Sequence, residues 1–113
     1  SSDLRCVHVV LLAPHHQPVA TARLLPSEAG VSVIGRVAVL KPWRGQHAGF
    51  AVMRALIRVA AQRGDHAVRL HAQQSAAGFY QRLGFHTEGE PFDEVGIPHV
   101  TMGITNLQRI ASR

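Results

Sequence analysis

A glycine-containing junction between an extended run and a long helix is the first place where this sequence could do chemistry. The stretch runs from Val37 through Arg44 to Gly49. A helix that begins here would present unpaired backbone N–H groups at the positive end of its dipole, which favours phosphate. Arg44 could add a charge-assisted contact, and glycine would let a ligand approach the backbone. The alternative is an ordinary strand-to-helix loop that uses glycine for geometry alone.

A second stretch, from Ala76 to Phe85, combines aromatic side chains with a helix-ending signal. An amphipathic helix with buried aromatic residues and a terminal glycine, Gly84, explains most of these residues. That explanation does not need the hydroxyl group of Tyr80, but tyrosines are common in protein cores. This stretch by itself leaves a structural and a catalytic role for Tyr80 open.

Three further residues could accept a proton from a substrate: His71, Glu94 and His99. Each also has a structural explanation, as a solvated loop charge for Glu94 and as hydrogen-bonded strand residues for the two histidines. The histidines do not suggest a metal site, because the adjacent His15 and His16 would diverge in an extended chain. We expect no bound metal.

The surrounding segments predict the elements that must position these residues. Extended runs cover residues 7–12, 19–25, 31–40, 66–72, 85–88 and 97–104, with a loop at 89–96 and a short helical or frayed tail from residue 105. Apolar residues at three- and four-residue spacing predict a helix from near His47 to Arg63, and Ser75 could cap a second helix that ends at Gly84. Gly35 indicates a bulge or a close backbone approach in the third run. The order indicates an α+β domain with a mixed, mostly antiparallel sheet and a central β-α-β unit.

Length and composition bound the class of protein. The 113 residues, 46% hydrophobic and 17% charged, predict a single small domain over residues 1–113 and exclude extensive disorder. No apolar run approaches the ~20 residues of a membrane span, and no signal peptide is visible, so we expect a cytoplasmic protein without membrane contact. Cys6 is the only cysteine, which excludes an internal disulfide. The net charge of +5 is spread along the chain, and we expect no nucleic-acid partner.

Together, in this order and separation, the two stretches resemble the GNAT acetyltransferase superfamily. The matching residues are Val39, Pro42, Arg44, Gly45, Gln46, Gly49, Gly64, Phe79, Tyr80, Leu83, Gly84 and Phe85. The segment from Glu94 to Met102 is similar to the Gly-Ile-Pro-His-x-x-Met segment of the ElaA-like branch. The resemblance extends from about Val7 to Ile104.

The resemblance implies an enzyme that moves an acetyl group from acetyl-CoA, its co-substrate, to a primary amine of a small molecule or peptide by direct attack. It implies that Tyr80 is the general acid that protonates the departing thiolate. It also implies that strand backbone binds the pantetheine arm and that the amides of residues 44–49 bind the pyrophosphate. The implied cofactor-binding residues are Val37, Ala38, Val39, Arg44, Gly45, Gln46, His47, Ala48, Gly49 and Gln73.

Some features depart from the family pattern. His47 stands where the family prefers glycine, so its ring must point away from the phosphates or, if cationic, could contact one. Gln73 stands where many members have asparagine. The family's usual N-terminal strand and two helices have no counterpart in this sequence: either the sequence is truncated at its N-terminus or the protein lacks them. Their loss would expose one sheet face and could favour a homodimer. These departures keep a non-catalytic CoA-binding or regulatory module as the alternative function, and the acceptor is left open.

Overall fold

The computed structural model describes residues 6–44 and 47–108. Within these ranges the chain forms an α+β fold of six strands and two α-helices, which confirms the predicted fold class. No helix in the described ranges is long and apolar enough to cross a membrane. The elements are β1 Val7–Ala13, β2 Gln17–Leu24, β3 Val31–Val39, α1 Ala48–Gln62, β4 Ala67–Gln73, α2 Ala77–Arg82, β5 His86–Glu94 and β6 Ile97–Thr105. Three 3-10 turns cover Pro14–His16, Lys41–Trp43 and Gln74–Ala76.

The strands form one mixed sheet in the order β1-β2-β3-β4-β6-β5. Only the β3–β4 pair is parallel among the described strands, and α1 connects these two strands. The predicted mixed, mostly antiparallel sheet with a central β-α-β unit is therefore confirmed.

The core lies between the sheet and the two helices. On β4, Val68, Leu70 and Ala72 are buried in the same hydrophobic cluster as Leu56 of α1 and Tyr80 of α2. Because side chains alternate across a strand, the exposed residues between them project from the opposite face of the sheet. The two faces of β4 therefore carry different residue classes, apolar toward the helices and polar on the other side.

Strand β3 bends at a bulge. Thr21 of β2 pairs with Ala38 and Arg23 pairs with Gly35, so β3 holds one extra residue between these positions. Arg36 takes up the irregularity with φ +56°. The interruption that Gly35 marks in the sequence is therefore a bulge, and it alters the direction of the second half of β3.

Strands β3 and β4 separate soon after they begin. Their parallel pairing joins Val31–Val33 to Ala67–Arg69 only, although β3 continues to Val39 and β4 to Gln73. Beyond Val33, β3 pairs with β2 alone among the described strands. The edge of β3 that faces β4 is therefore left open at the carboxyl ends of both strands.

A buried polar network holds the closed end of this pair. Asp65, 1% exposed, accepts hydrogen bonds from the hydroxyl groups of Ser27 and Ser32 and from Arg63 Nε at 3.1 Å. Arg63 also donates to the backbone carbonyl of Leu25 and, at 2.7 Å, to Ser32 Oγ. Burial by itself would raise the pKa of Asp65, but these hydrogen bonds and the Arg63 charge together hold the pKa below its ordinary value. The network ties the start of β3 to the end of α1.

The prediction of a loop at residues 89–96 is wrong. Strand β5 continues to Glu94, and only Val95 and Gly96 form the turn, both with positive φ. The pairing passes from Glu88–Thr101 to Phe92–His99, so a bulge absorbs the residues between. Glycine and proline are tolerated there because β5 is an edge strand with no further neighbour in the described sheet.

The predicted cap at Ser75 is also wrong. Ser75 lies inside the 3-10 turn Gln74–Ala76, and α2 begins at Ala77 after the cap residue Ala76, without a side-chain capping bond. The 3-10 turn takes up residues that the prediction assigned to the helix, so α2 is only six residues long. Helix α1 begins at Ala48 and ends at Gln62, within a residue of its predicted bounds.

Candidate active site

A cavity of about 550 Å³ lies where the open end of β3 meets the beginnings of both helices. It is lined by Val37, Ala38, Val39, Arg44, His47, Gly49, Phe50, Ala76, Phe79 and Arg82. Six residues of the predicted cofactor-binding set therefore come together here. Gly45 and Gln46, which belong to the same set, lie outside the described residues.

Residues of the first turn of α1 line this cavity and bring their backbone amides to it. Among residues 6–44 and 47–108, the first backbone bond of the helix runs from the Ala51 amide to the His47 carbonyl at 3.0 Å, so the amides of Ala48, Gly49 and Phe50 precede the helical hydrogen bonds. The N-cap residue, His47, makes no side-chain capping bond, and the first turn of the helix contains no acidic residue. The positive end of the helix dipole therefore favours an anion at this position. Ala48 contributes through its backbone, since its side chain is buried in the core.

His47 adopts the conformation that glycine favours. Its φ of +64° lies in the left-handed region, which costs a residue with a Cβ atom about 1–2 kcal/mol. Its ring stacks on Phe50, with centroids 5.9 Å apart, and lies along the cavity wall. The side chain is therefore positioned beside the phosphate-binding position that the sequence analysis predicts.

Gly49 allows three elements to approach closely. A Cβ atom at this position would lie 3.0 Å from Phe79 Cζ of α2 and 3.7 Å from Val39 Cγ2 of β3. Any larger residue would push Phe79 outward or narrow the cavity. The glycine is therefore required by packing as well as by access to the helix amides.

Arg44 is fixed beside the end of β3. Its Nε donates a hydrogen bond to the Val39 carbonyl at 3.0 Å, while the side chain stays exposed. This bond leaves the terminal guanidinium nitrogens at the rim of the cavity. The geometry suits a charge-assisted contact to an anion bound at the helix terminus.

Three cavity residues outside the predicted cofactor-binding set form an aromatic and cationic wall: Phe79, which matches the family pattern, and Phe50 and Arg82, which the sequence analysis did not select. Phe50 and Phe79 stack at 4.9 Å, and the Arg82 guanidinium lies 5.6 Å from the centre of the Phe50 ring. The signal was present, since Arg82 follows Phe79 by three residues and both lie on one side of α2. Arg82 also adds a second cation to the cavity.

Tyr80 lies directly behind this wall. Its ring packs edge-to-face against Phe79 at 5.0 Å and against Phe85 at 6.0 Å, and the residue is 9% exposed. Burial raises the pKa of the Tyr80 phenol, which therefore keeps its proton at neutral pH. The cavity lining includes Phe79 but neither Tyr80 nor Gln73, which ends β4 as an exposed residue paired with His99.

The three candidate proton acceptors come together on the other face of the sheet. Glu94 Oε1 lies 3.5 Å from His71 Nδ1, and Glu94 Oε2 lies 3.7 Å from His99 Nε2. The ring of Phe92 packs against both imidazoles. Across residues 6–44 and 47–108, no group of three or more His, Cys, Asp or Glu side chains is placed to hold a metal ion.

A larger cavity, of about 900 Å³, lies between α1, α2 and the end of β6. Arg54 and Arg58 of α1 and Arg82 of α2 contribute to its lining, but none of the predicted site residues does. It exposes no edge of β3 and no helix amides of the first turn. The smaller cavity is therefore the candidate active site.

Comparison with known proteins agrees with these features. A family model described as the acetyltransferase (GNAT) domain matches residues 6–106. The uncharacterized protein YyaT of Bacillus subtilis (strain 168) is 37% identical over 100 residues, which cover 87% of this chain and 65% of YyaT. Protein ElaA of Escherichia coli (strain K12) is 38% identical over 93 residues, covering 80% of this chain and 61% of ElaA. The chain thus spans less than two thirds of the length of these relatives.

Solved structures share the fold. The crystal structure of E. coli ElaA aligns with a TM-score of 0.79 at 32% identity, covering 88% of this chain and 68% of that one. An aminoglycoside 6′-N-acetyltransferase complexed with coenzyme A aligns with a TM-score of 0.80 at 14% identity, covering 91% and 74%. At that identity the second likeness concerns the fold alone.

The mixed sheet with a separated parallel pair, and a cavity at the start of the intervening helix, define an acetyltransferase fold of the GNAT type. The chain belongs to the GNAT acetyltransferase superfamily. Its similarity to ElaA in sequence and structure places it in the ElaA-like branch of that superfamily.

Proposed function

We propose that this domain transfers an acetyl group from acetyl-CoA to a primary amine by direct attack on the thioester. The observation that carries the proposal is the meeting of the open β3 edge with the uncapped start of α1 in one cavity. These two features offer backbone hydrogen bonds to an extended amide-containing chain and positive charge to a phosphate group, and coenzyme A contains both of these groups.

The residues around the cavity fit the co-substrate. The backbone of Val37, Ala38 and Val39 lies beyond the pairing with β4 and would pair with the pantetheine amides. The amides of residues 48–50 would bind the pyrophosphate, with Arg44 beside them. Gly45 and Gln46 belong to the same proposed set and lie outside the described residues. His47 and Gly49 shape the same wall, and Gln73 belongs to the proposed set at the end of β4.

Tyr80 would supply the proton for the leaving group. Attack by a neutral amine forms a C–N bond at the thioester carbon, and collapse of the intermediate breaks the C–S bond. The thiolate formed is stabilised when a nearby acid protonates it. Burial, which raises the pKa of Tyr80, keeps that acid protonated at neutral pH.

A thermal shift with acetyl-CoA tests the binding step. A ligand at 100 times its Kd stabilises a protein by about 2.7 kcal/mol, which corresponds to a rise in Tm of about 10 °C for a domain of this size. Release of free thiol with a panel of primary amines then tests the transfer. No shift at millimolar acetyl-CoA would contradict the proposal.

The second candidate function is a non-catalytic CoA-binding or regulatory module. The observation that favours it is His47, whose ring lies in the cavity at a position where the resemblance implies glycine. This candidate predicts the thermal shift with acetyl-CoA but no thiol release with any amine. The two measurements together therefore separate an enzyme from a binding module.

A further inference from the structure

A cluster of polar side chains lies on the sheet face opposite the helices. His71 projects from β4 on that face, and His99 follows on β6 at the position paired with Gln73. Phe92 pairs with His99, and Glu94 lies two residues further along the same side of β5. Three separate strands therefore contribute the cluster of His71, Phe92, Glu94 and His99, which we call the β-face cluster.

The hydrogen bonding of His99 fixes which of its nitrogens can accept a proton. His99 Nδ1 lies 2.7 Å from the backbone carbonyl of Ile97, which can only accept a hydrogen bond. Nδ1 must therefore carry a hydrogen, and in the neutral ring Nε2 has a free lone pair. That lone pair faces Glu94, and burial of the His99 side chain to 8% exposure holds the ring in place.

Glu94 is placed between the two imidazoles without a short bond to either. Its contacts of 3.5 and 3.7 Å are longer than the 2.7–2.9 Å of a charge-assisted hydrogen bond. The side chain is 49% exposed, so both carboxylate oxygens can still accept hydrogen bonds. The Glu94 carboxylate and His99 Nε2 are two hydrogen-bond acceptors that face each other. They are therefore complementary to a group that donates several hydrogen bonds, such as an ammonium ion.

We propose that the β-face cluster binds the acceptor substrate as a primary alkylammonium ion and that His99 Nε2 removes its proton. The inference rests on the proposed acetyl transfer and names the residues that hold the amine and the base that deprotonates it. Glu94 would balance the positive charge, and the exposed His71 would complete the site. The Phe92 ring would contact the first methylene groups of the substrate. His71, Glu94 and His99 are the titratable groups that β4, β5 and β6 direct to this position.

The proton balance of the step is complete. The ammonium ion passes one proton to His99 Nε2, and the neutral amine then forms the C–N bond at the thioester carbon. When the C–S bond breaks, the thiolate takes the Tyr80 proton, and the phenolate recovers a proton from the amide nitrogen. His99 releases its proton to water, so the net products are an N-acetyl amine, free thiol and one proton. Strand β4 borders both the gap beside β3 and the β-face cluster, and the proposed transfer requires the amine to reach the thioester through this gap.

A titration with butylammonium chloride tests the binding part without requiring turnover. The ring C–H signals of His71 and His99, assigned with His71→Gln and His99→Asn, are followed by NMR. We expect both signals to shift in the wild type, with at least tenfold weaker binding in Glu94→Gln. Asp93→Asn removes the same charge from the neighbouring exposed residue on the other side of β5 and should bind like the wild type. Ring signals that do not move, or equal affinity in Glu94→Gln, would overturn the proposal.

Kinetics test the base. The His99→Asn side chain can still donate to the Ile97 carbonyl but lacks the Nε2 lone pair, so kcat/KM for the amine should fall about 100-fold. The thermal shift with acetyl-CoA should stay unchanged, and Asp93→Asn should keep its activity. A His99→Asn variant within threefold of the wild type would overturn the assignment. A wild-type protein that releases no thiol would instead contradict the proposed function, and the titration would still decide on the cluster.

Discussion

At the scale of single residues, the proposal gives Tyr80 the role of general acid and Gly49 the role of keeping the cavity open. Replacing Tyr80 by phenylalanine removes only the hydroxyl group and keeps the ring contacts with Phe79 and Phe85. We expect kcat to fall by about 100-fold, because the thiolate would leave unprotonated, while the Kd of acetyl-CoA stays the same. Steady-state rates measure kcat and titration calorimetry measures the Kd, and an unchanged kcat would exclude Tyr80 as the acid.

Gly49→Ala adds a Cβ atom that would lie only 3.0 Å from Phe79 Cζ. Phe79 is held between Phe50 and Tyr80, so it cannot yield without disturbing the wall. We expect the affinity for acetyl-CoA to fall about tenfold by calorimetry, a magnitude that corresponds to about 1.4 kcal/mol. Gly78→Ala is the matched control, since a Cβ atom there meets nothing within 4 Å. Equal losses in both variants would contradict the packing argument.

Individual residue types could be selected from the sequence, but their convergence could not. His71, Glu94 and His99 each had a structural explanation, and their separations along the chain give no distance between them. The strand register decides it, because Phe92 pairs with His99 only after the bulge in β5. Phe50 and Arg82 were not selected, because in the sequence each has the pattern of an ordinary surface or packing residue. Their contact is visible only when the two helices are placed side by side.

At the scale of elements, the Asp65 network controls the closed end of the β3–β4 pair. Asp65→Asn should lower the free energy of unfolding by about 3 kcal/mol at pH 7, because it removes the buried carboxylate that accepts hydrogen bonds from Ser27, Ser32 and Arg63. The folded pKa of Asp65 lies below the unfolded value, so its stabilisation is present above that value and is lost as pH falls through the folded pKa. Urea unfolding between pH 2 and pH 7 measures both effects.

The same experiment on Asp93→Asn, an exposed carboxylate, serves as the control. It should change the unfolding free energy by less than about 0.5 kcal/mol. If Asp65→Asn were as stable as the wild type at pH 7, the network would not hold the strand pair together.

The turn between β5 and β6 carries strain that a substitution can relieve. Val95 and Gly96 both have positive φ, the geometry of a type I′ turn, and a β-branched residue is disfavoured at such angles. Because the Val95 side chain is 92% exposed, Val95→Asn loses little packing and should stabilise the protein by about 1 kcal/mol. Thermal unfolding measures this gain, and a lower Tm would contradict it.

The elements show what periodicity can and cannot predict. Apolar spacing indicated α1 almost to its observed ends, since its stripe packs on one sheet face. Gly89 and Pro91 interrupted the pattern of β5 in the same way that a loop would. Only the order of the strands in the sheet, which makes β5 an edge strand, shows that these residues form a bulge within a strand and not a loop.

At the scale of the whole molecule, the sheet separates two kinds of chemistry. The helix face holds the cavity proposed for the co-substrate, and the opposite face holds the β-face cluster proposed for the amine. The proposed transfer would take place at the gap between β3 and β4, where the pairing of these strands has ended. The homodimer and the cytoplasmic location expected from the sequence stay predictions.

The central claim, that coenzyme A binds between the β3 edge and the start of α1, is tested most directly by an amide NMR titration with coenzyme A. We expect the largest shifts at residues 37–39 and 48–50, whose backbone groups would form the new hydrogen bonds. Shifts confined to the larger cavity, around Arg54 and Arg58, would contradict the account.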